Sequence, residues 1–290
     1  MKKYLKLIRI KHWLKNGLVF LPLFFNLSIQ DGSLLFRCII AFFIFSATSS
    51  IIYIYNDMND IEKDRNHPTK KLRPLASKEV SIKQASIIMV ALAVIDIVLM
   101  SILYINVSNI FVFIIPIIYI LLNILYSKVL KDVPIIDVSI IVAGFVLRVL
   151  YGSISTSIVV SKYLYLMIIF GSFYLGFGKR RNEIVRNGNK SRPVLEKYNK
   201  EFLDKNMYVS YALSIVAYTL WTVDPVTITR IGNDYIFWTI PLLMIILQLY
   251  SLNIEDNSDG DPTEVLFSDK KLMIASLIYI IALVIIIYII

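Results

Sequence analysis

The sequence predicts an all-α, polytopic membrane protein, and three observations carry that expectation. Of 290 residues, 57% are hydrophobic and only 18% charged, with a mean hydropathy of +0.69. A soluble domain of this length is rarely so apolar. Apolar runs of about twenty residues, the length that crosses ~30 Å of hydrocarbon, recur along the whole chain. The basic residues gather in alternate loops, the asymmetry expected of a bacterial-type inner membrane protein. That distribution accounts for the net charge of +9 without nucleic acid as a partner. The single cysteine, Cys38, excludes a disulfide framework and a cysteine metal site within one chain.

The chain opens with MKKYLKLIRIKHWLKN, basic and followed by an apolar run in the manner of a signal peptide. No small-residue cleavage site follows LVFLPLFFNLSI, so the segment is expected to be retained. Spans are expected near 17–31, 35–55, 82–104, 108–126, 134–152, 162–178, 207–224, 234–252 and 271–289. That makes nine helices, the first short and interrupted by Pro22. The loops set the orientation: residues 1–16, 56–83, 127–133, 179–205 and 253–271 hold 26 of the 30 Lys and Arg residues. The bias puts the N-terminus in the cytoplasm of a prokaryotic cell and the C-terminus outside its plasma membrane. The long inside loops are too small to bury cores of their own, so residues 1–290 are expected to form one membrane domain with cytoplasmic caps. The acidic run from Glu255 to Glu264 reads as a solvated loop.

The richest stretch runs from Tyr53 to Ala76. If the second span continues as a helix, Asp57, Asp60 and Asp64 fall at i, i+3 and i+7, on one face. Carboxylates ~6 Å apart repel by roughly 3 kcal/mol at an effective dielectric of 20, so such a face calls for a cation. Oxygen-only ligands, with Asn56 beside them, suit Mg²⁺, which shares its shell with substrate phosphates. The alternative is a solvated loop whose acids pair with Lys63, Arg65 and Lys70. Arg73 is a further cation for phosphate. His67 and His12 read as surface and interfacial residues, and Trp13 as part of an aromatic belt.

A second constellation follows the sixth span, where Gly171, Gly176 and Gly178 lead into Lys179, Arg180, Arg181, Asn182 and Glu183. It reads either as a positive-inside anchor or as a phosphate clamp, with Lys179 a point charge and Arg180 a forked donor. Glu183 would then ligate a metal or orient a cation. Between the fourth and fifth spans, Tyr126, Lys128, Lys131, Asp132 and Asp137 cluster near the cytoplasmic side. Arg148 lies three turns deeper, where a charge costs ~2.5–3.5 kcal/mol on insertion scales, so it should face a wet cavity or a carboxylate. Asp96 in the third span is a candidate partner, as a structural ion pair or part of a ligand site. Arg37 can snorkel outward.

This layout, with Asn56, Asp57, Asp60 and Asp64 after the second span, resembles the UbiA superfamily of intramembrane prenyltransferases. The four residues match that family's first aspartate motif, and the likeness covers nearly the whole chain. Its second motif is not present in the usual two-aspartate form; Lys179 to Glu183 stand in its place. RIKHWLKNGLVFLPLFF, YSKVLKDVPIIDV, GFVLRVLYG and GFGKRRNEI are similar to the decaprenyl-phosphate phosphoribosyltransferase subgroup. That resemblance implies Mg²⁺-dependent transfer of 5-phosphoribosyl from phosphoribosyl diphosphate to a polyprenyl phosphate. Asp57, Asp60 and Asp64 would carry the metal and the catalysis. Lys15, Asn16, Arg73, Tyr126, Lys128, Lys131, Asp137, Arg148, Lys179, Arg180 and Glu183 would bind substrates. The expected partners are the two substrates, the lipid bilayer and, as an open alternative, a second copy of the chain. One competing reading is prenyl transfer to an aromatic acceptor. Another is a transporter using Asp96, Asp137 and Arg148, although no pair of broken-helix repeats is evident.

Overall fold

The computed structural model describes residues 2–66, 70–187, 193–255 and 262–290, and no strand occurs among them. His67 and residues 256–261 of the acidic run lie outside the described residues. Long helices dominate: α1 (Gly32–Asn59), α2 (Ile82–Val107), α3 (Phe111–Lys128), α4 (Ile136–Thr156), α5 (Lys162–Asn187), α6 (Lys200–Thr222), α7 (Ile240–Glu255) and α8 (Lys270–Tyr288). Each overlaps one of the expected spans from the second to the ninth.

The expected count of about nine spans is not confirmed among the described residues. Among the described residues, six helices are long and apolar enough to cross a membrane, or seven if Lys200–Thr222 and Pro225–Ile231, bent by 58°, form one span. The expected first span, 17–31, is interrupted, as Pro22 within it suggested. A 3-10 helix over Ile10–Phe20 gives way to a short α-helix, Leu21–Phe25. Pro22 causes the change: its fixed φ suits a helix start, but it has no N–H to continue the preceding turn. The sixth expected span, 162–178, lies in α5, which runs on through the cations at 179–181 and is not among those six.

The chain divides into two compact units. The first comprises Met1–Phe24, Ser28–Lys128 and Leu147–Ile158. Its axis is α1, capped at its start by Asp31, which accepts from the backbone N–H groups of Ser33 and Leu34. The run Ser46–Ser50 is almost wholly buried. Small side chains let helices approach closely in lipid, where association rests on packing and hydrogen bonds and not on an aqueous hydrophobic effect. Asn16 uses that room, its Nδ2 donating to Ser46 Oγ at 3.1 Å and Ser49 Oγ at 3.4 Å. Opposite, Gly152 of α4 lets the Val19 backbone press against it; a Cβ there would stand 2.0 Å from the Val19 carbonyl oxygen. α2 starts with a capping box between Ser81 and Gln84.

The second unit comprises Phe25–Leu27, Val129–Val146 and Val159–Ile290. α5 and α6 form its central antiparallel pair, with α7 and α8 beside them. Its core joins Val138 and Val142 of α4 to Tyr174, Phe177, Met207 and Tyr250. Gly176 gives Val138 its place, since a Cβ at Gly176 would meet Val138 Cγ1 at 2.5 Å.

Candidate active site

In the first unit the acidic motif sits where α1 ends. The regular helix stops at Asn59 and resumes over Ile61–Arg65, with Asp60 between them at φ −104° and ψ 13°. The uninterrupted helical face expected from the sequence is therefore broken at its middle residue. Asp57 and Asp64 are nearly buried, at 2% and 3% exposure, and meet on one cation. Arg73 Nη1 donates to Asp57 Oδ1 at 3.0 Å and to Asp64 Oδ2 at 2.7 Å. Arg9 Nη2 reaches the same Asp57 oxygen at 2.5 Å, while its guanidinium lies 4.5 Å from the Tyr53 ring centroid. Asp60 stands apart, its carboxylate 40% exposed and 3.9 Å from Lys63 Nζ. Asn56 Oδ1 accepts from Ser127 Oγ at 2.9 Å.

Among the described residues no three His, Cys, Asp or Glu side chains form a cage for a metal ion. The donor set nevertheless fits Mg²⁺. It is all oxygen and keeps one open carboxylate, Asp60, and Mg²⁺ is commonly held by one or two carboxylates plus phosphates and waters, without a protein cage. Sequence reasoning missed Arg9, a local positive-φ residue at φ 52° 48 positions before Asp57. Its only signal was membership of the basic N-terminal run, where it read as an orientation anchor.

The second unit assembles a chain of four polar side chains. Arg180, 1% exposed, donates from Nε to Asp137 Oδ2 at 2.6 Å and from Nη1 to Glu183 Oε2 at 3.0 Å. Tyr198 donates its hydroxyl to Asp137 Oδ1 at 2.7 Å and accepts the Ile135 N–H at 2.5 Å. Burial pushes the Tyr198 phenol above its ordinary value, and Asp137 pushes it the same way, so it remains a donor. Ile135 is held at φ 71°, a left-handed conformation that is an outlier for a β-branched residue. Sequence reasoning missed Tyr198 too, because nothing local to a tyrosine in a loop marks a partner 61 positions away. The neighbouring Arg181 pairs with Asp204 at 2.7 Å. Lys179 is half-buried beside them.

Deep in the first unit, Arg148 is 6% exposed. Its Nε donates to Asn16 Oδ1 at 2.8 Å and its Nη2 to Tyr119 Oη at 3.0 Å. The guanidinium also lies 5.3 Å and 5.0 Å from the Phe45 and Tyr119 ring centroids. Neutral oxygens and aromatic faces thus receive a cation for which the sequence suggested a wet cavity or a carboxylate. Asp96 instead accepts from Thr48 Oγ1 at 2.6 Å. Of the remaining predicted residues, Lys15, Tyr126 and Lys131 are half-buried and Lys128 is exposed.

Long apolar helices that end in buried carboxylate–arginine clusters define a multi-pass membrane protein with a polar site at helix ends. The UbiA prenyltransferase family model matches residues 19–277, and the chain belongs to that family. Decaprenyl-phosphate phosphoribosyltransferase from Corynebacterium glutamicum is 32% identical, over 98% of this chain and 86% of that protein. The protein of the same name from Mycolicibacterium smegmatis is 30% identical, over 95% of this chain and 89% of its own length. Among solved structures, a UbiA homologue from Archaeoglobus fulgidus bound to GPP and Mg²⁺ superposes with a TM-score of 0.69 at 20% identity, covering 98% of this chain and 99% of that one. A digeranylgeranylglyceryl phosphate synthase superposes with a TM-score of 0.65 at 22% identity, covering 98% and 97%.

Proposed function

We propose that this protein transfers a 5-phosphoribosyl group from phosphoribosyl diphosphate to a polyprenyl phosphate, releasing diphosphate. The observation that carries the reading is near-full-length similarity to relatives named for that kind of transfer. The basic run at 179–181, where a prenyl diphosphate enzyme of this family would carry aspartates, favours the same donor.

In this reading Asp57, Asp60 and Asp64, with Asn56, would hold Mg²⁺ beside the donor's diphosphate. When bound, the ion supplies neutralisation of the charge that gathers on the departing diphosphate. Arg73 holds Asp57 and Asp64 together, and Arg9 holds Asp57 from the other side. A lipid phosphate oxygen forms a bond to ribose C1 as the bond from C1 to the diphosphate oxygen breaks. The attacking oxygen is already ionised near neutral pH, so the step calls for no general base and no proton moves. Lys179 and Arg180 would neutralise the remaining phosphate charge. Asn16 and Arg148 form a second polar layer deeper in the membrane, and Lys15, Tyr126, Lys128 and Lys131 contribute at the entrance. The whole chain acts as one transferase domain in a prokaryotic inner membrane, N-terminus and site on the cytoplasmic side.

Purified protein given ribose-labelled phosphoribosyl diphosphate and a polyprenyl phosphate should move label into the lipid phase only with Mg²⁺ present. Label transfer from a prenyl diphosphate to an aromatic acceptor, with none from the sugar donor, would replace this reading with ordinary prenyl transfer.

A further inference from the structure

Behind the acidic motif, the same short stretch of chain builds a second concavity. Asp57 and Asp64 are buried against Arg73, whereas Met58, Glu62, Lys63 and Arg65 line an open cavity of about 690 Å³ in the first unit. That volume lies within the range of small-molecule sites. Its lining divides by chemistry. Met58, Ile61, Leu75 and Val80 supply apolar surface, and the last two are nearly fully buried, at 3% and 2% exposure. Lys63, Arg65 and Lys78 supply three cations against the single carboxylate of Glu62. The cavity therefore favours an anion that also carries apolar substance.

Its position narrows the class further. The cavity lies where α1 ends and α2 begins, with Met58 on one helix and Ser81 and Ile82 at the start of the other. From Ile82 outward, α2 presents exposed Ile87, Val90, Val94 and Ile97, each at least half exposed. An apolar face of that kind on a membrane helix is covered by acyl chains. Cations at the end of a spanning helix meet the phosphate level of the bilayer, where each is worth about 1 kcal/mol toward anionic lipid.

We infer that this cavity seats the headgroup of an anionic glycerophospholipid, its phosphate among Lys63, Arg65 and Lys78 and its chains along the exposed face of α2. A free phosphate would have no use for the apolar half of the lining, and a zwitterionic headgroup would bring an amine against the cations. The proposal does not rest on the transfer reaction, although Lys63 also lies 3.9 Å from Asp60.

The test is native mass spectrometry of the detergent-purified full chain with phosphatidylglycerol, phosphatidylcholine, inorganic phosphate and a polyprenyl phosphate. Lys63→Gln with Lys78→Asn removes two charges; Asn tolerates the left-handed φ of 63° at position 78. Lys271→Gln, near the start of α8, serves as the control. Phosphatidylglycerol should be retained over phosphatidylcholine, and the double variant should lower its affinity about thirtyfold (about 1 kcal/mol for each of the two lost cations) while Lys271→Gln does not. Equal retention of the two lipids, or occupancy unchanged in the double variant, would overturn the assignment. So would displacement of phosphatidylglycerol by inorganic phosphate, which marks a free-anion site, or by the polyprenyl phosphate, which marks an acceptor site.

Discussion

At the residue scale the site depends on carboxylates that are buried and shared. Arg73 bridges Asp57 and Asp64 while itself 28% exposed, so its removal leaves two like charges in a poorly solvated place. Arg73→Met should lower stability by about 2 kcal/mol, less than a fully buried pair would lose because solvent reaches the guanidinium. Thermal unfolding in detergent measures this; an unchanged transition would mean that Arg9 alone holds Asp57. Tyr198→Phe keeps the ring and removes one hydroxyl. It strips a donor from Asp137 and an acceptor from the Ile135 N–H, and should cost about 1–3 kcal/mol. A stability equal to the parent protein would show that water replaces the hydroxyl. Asn56, Asp57, Asp60 and Asp64 were legible in the sequence because they share one local motif. Arg9 and Tyr198 were not, because each meets its partner through tertiary folding with no periodicity to announce it.

At the element scale the long helices were legible and their ends were less so. Apolar runs mark α1 to α8 because lipid-facing and core-facing residues are both apolar, so the signal persists around the whole helix. The same uniformity hides which face packs. Pro22 announced a break before α1, but nothing announced that the segment ahead of it is a 3-10 helix, or that α1 yields at Asp60. Packing at Gly152 was equally invisible, since a glycine in an apolar run looks like any small residue. Gly152→Ala places a methyl group 2.0 Å from a backbone oxygen that no side-chain rotation can move. Overpacking of this kind costs typically 1–3 kcal/mol, and backbone contact puts it at the upper end. The expected result is a lower unfolding temperature in detergent with the transition still cooperative. An unaffected temperature would contradict the close approach of Gly152 and Val19.

At the scale of the whole molecule, membership of the UbiA prenyltransferase family follows from sequence similarity along nearly the full chain, and the fold agrees with it. The orientation is read from charge alone and can be checked independently. After Cys38→Ser, single cysteines placed at Lys2 and Lys71 should react with an impermeant thiol reagent only in inverted vesicles, and one at Ile290 only in intact cells. The reverse pattern would turn the site to the outer face. The choice of donor is the central claim, because the acidic motif serves any diphosphate and the cations at 179–181 favour one with more phosphate charge. The most direct measurement pairs Asp60→Asn with the parent protein in a Mg²⁺-dependent assay of ribose label moving from phosphoribosyl diphosphate into polyprenyl phosphate. Asp60 is the most exposed of the three acids, so the variant should fold normally. The account predicts transfer by the parent protein and a loss of at least about a hundredfold in the folded variant, the scale set by removing one group that stabilises developing charge. Equal turnover in both would contradict the assignment of the acidic motif, and absence of ribose transfer by the parent protein would contradict the proposed reaction.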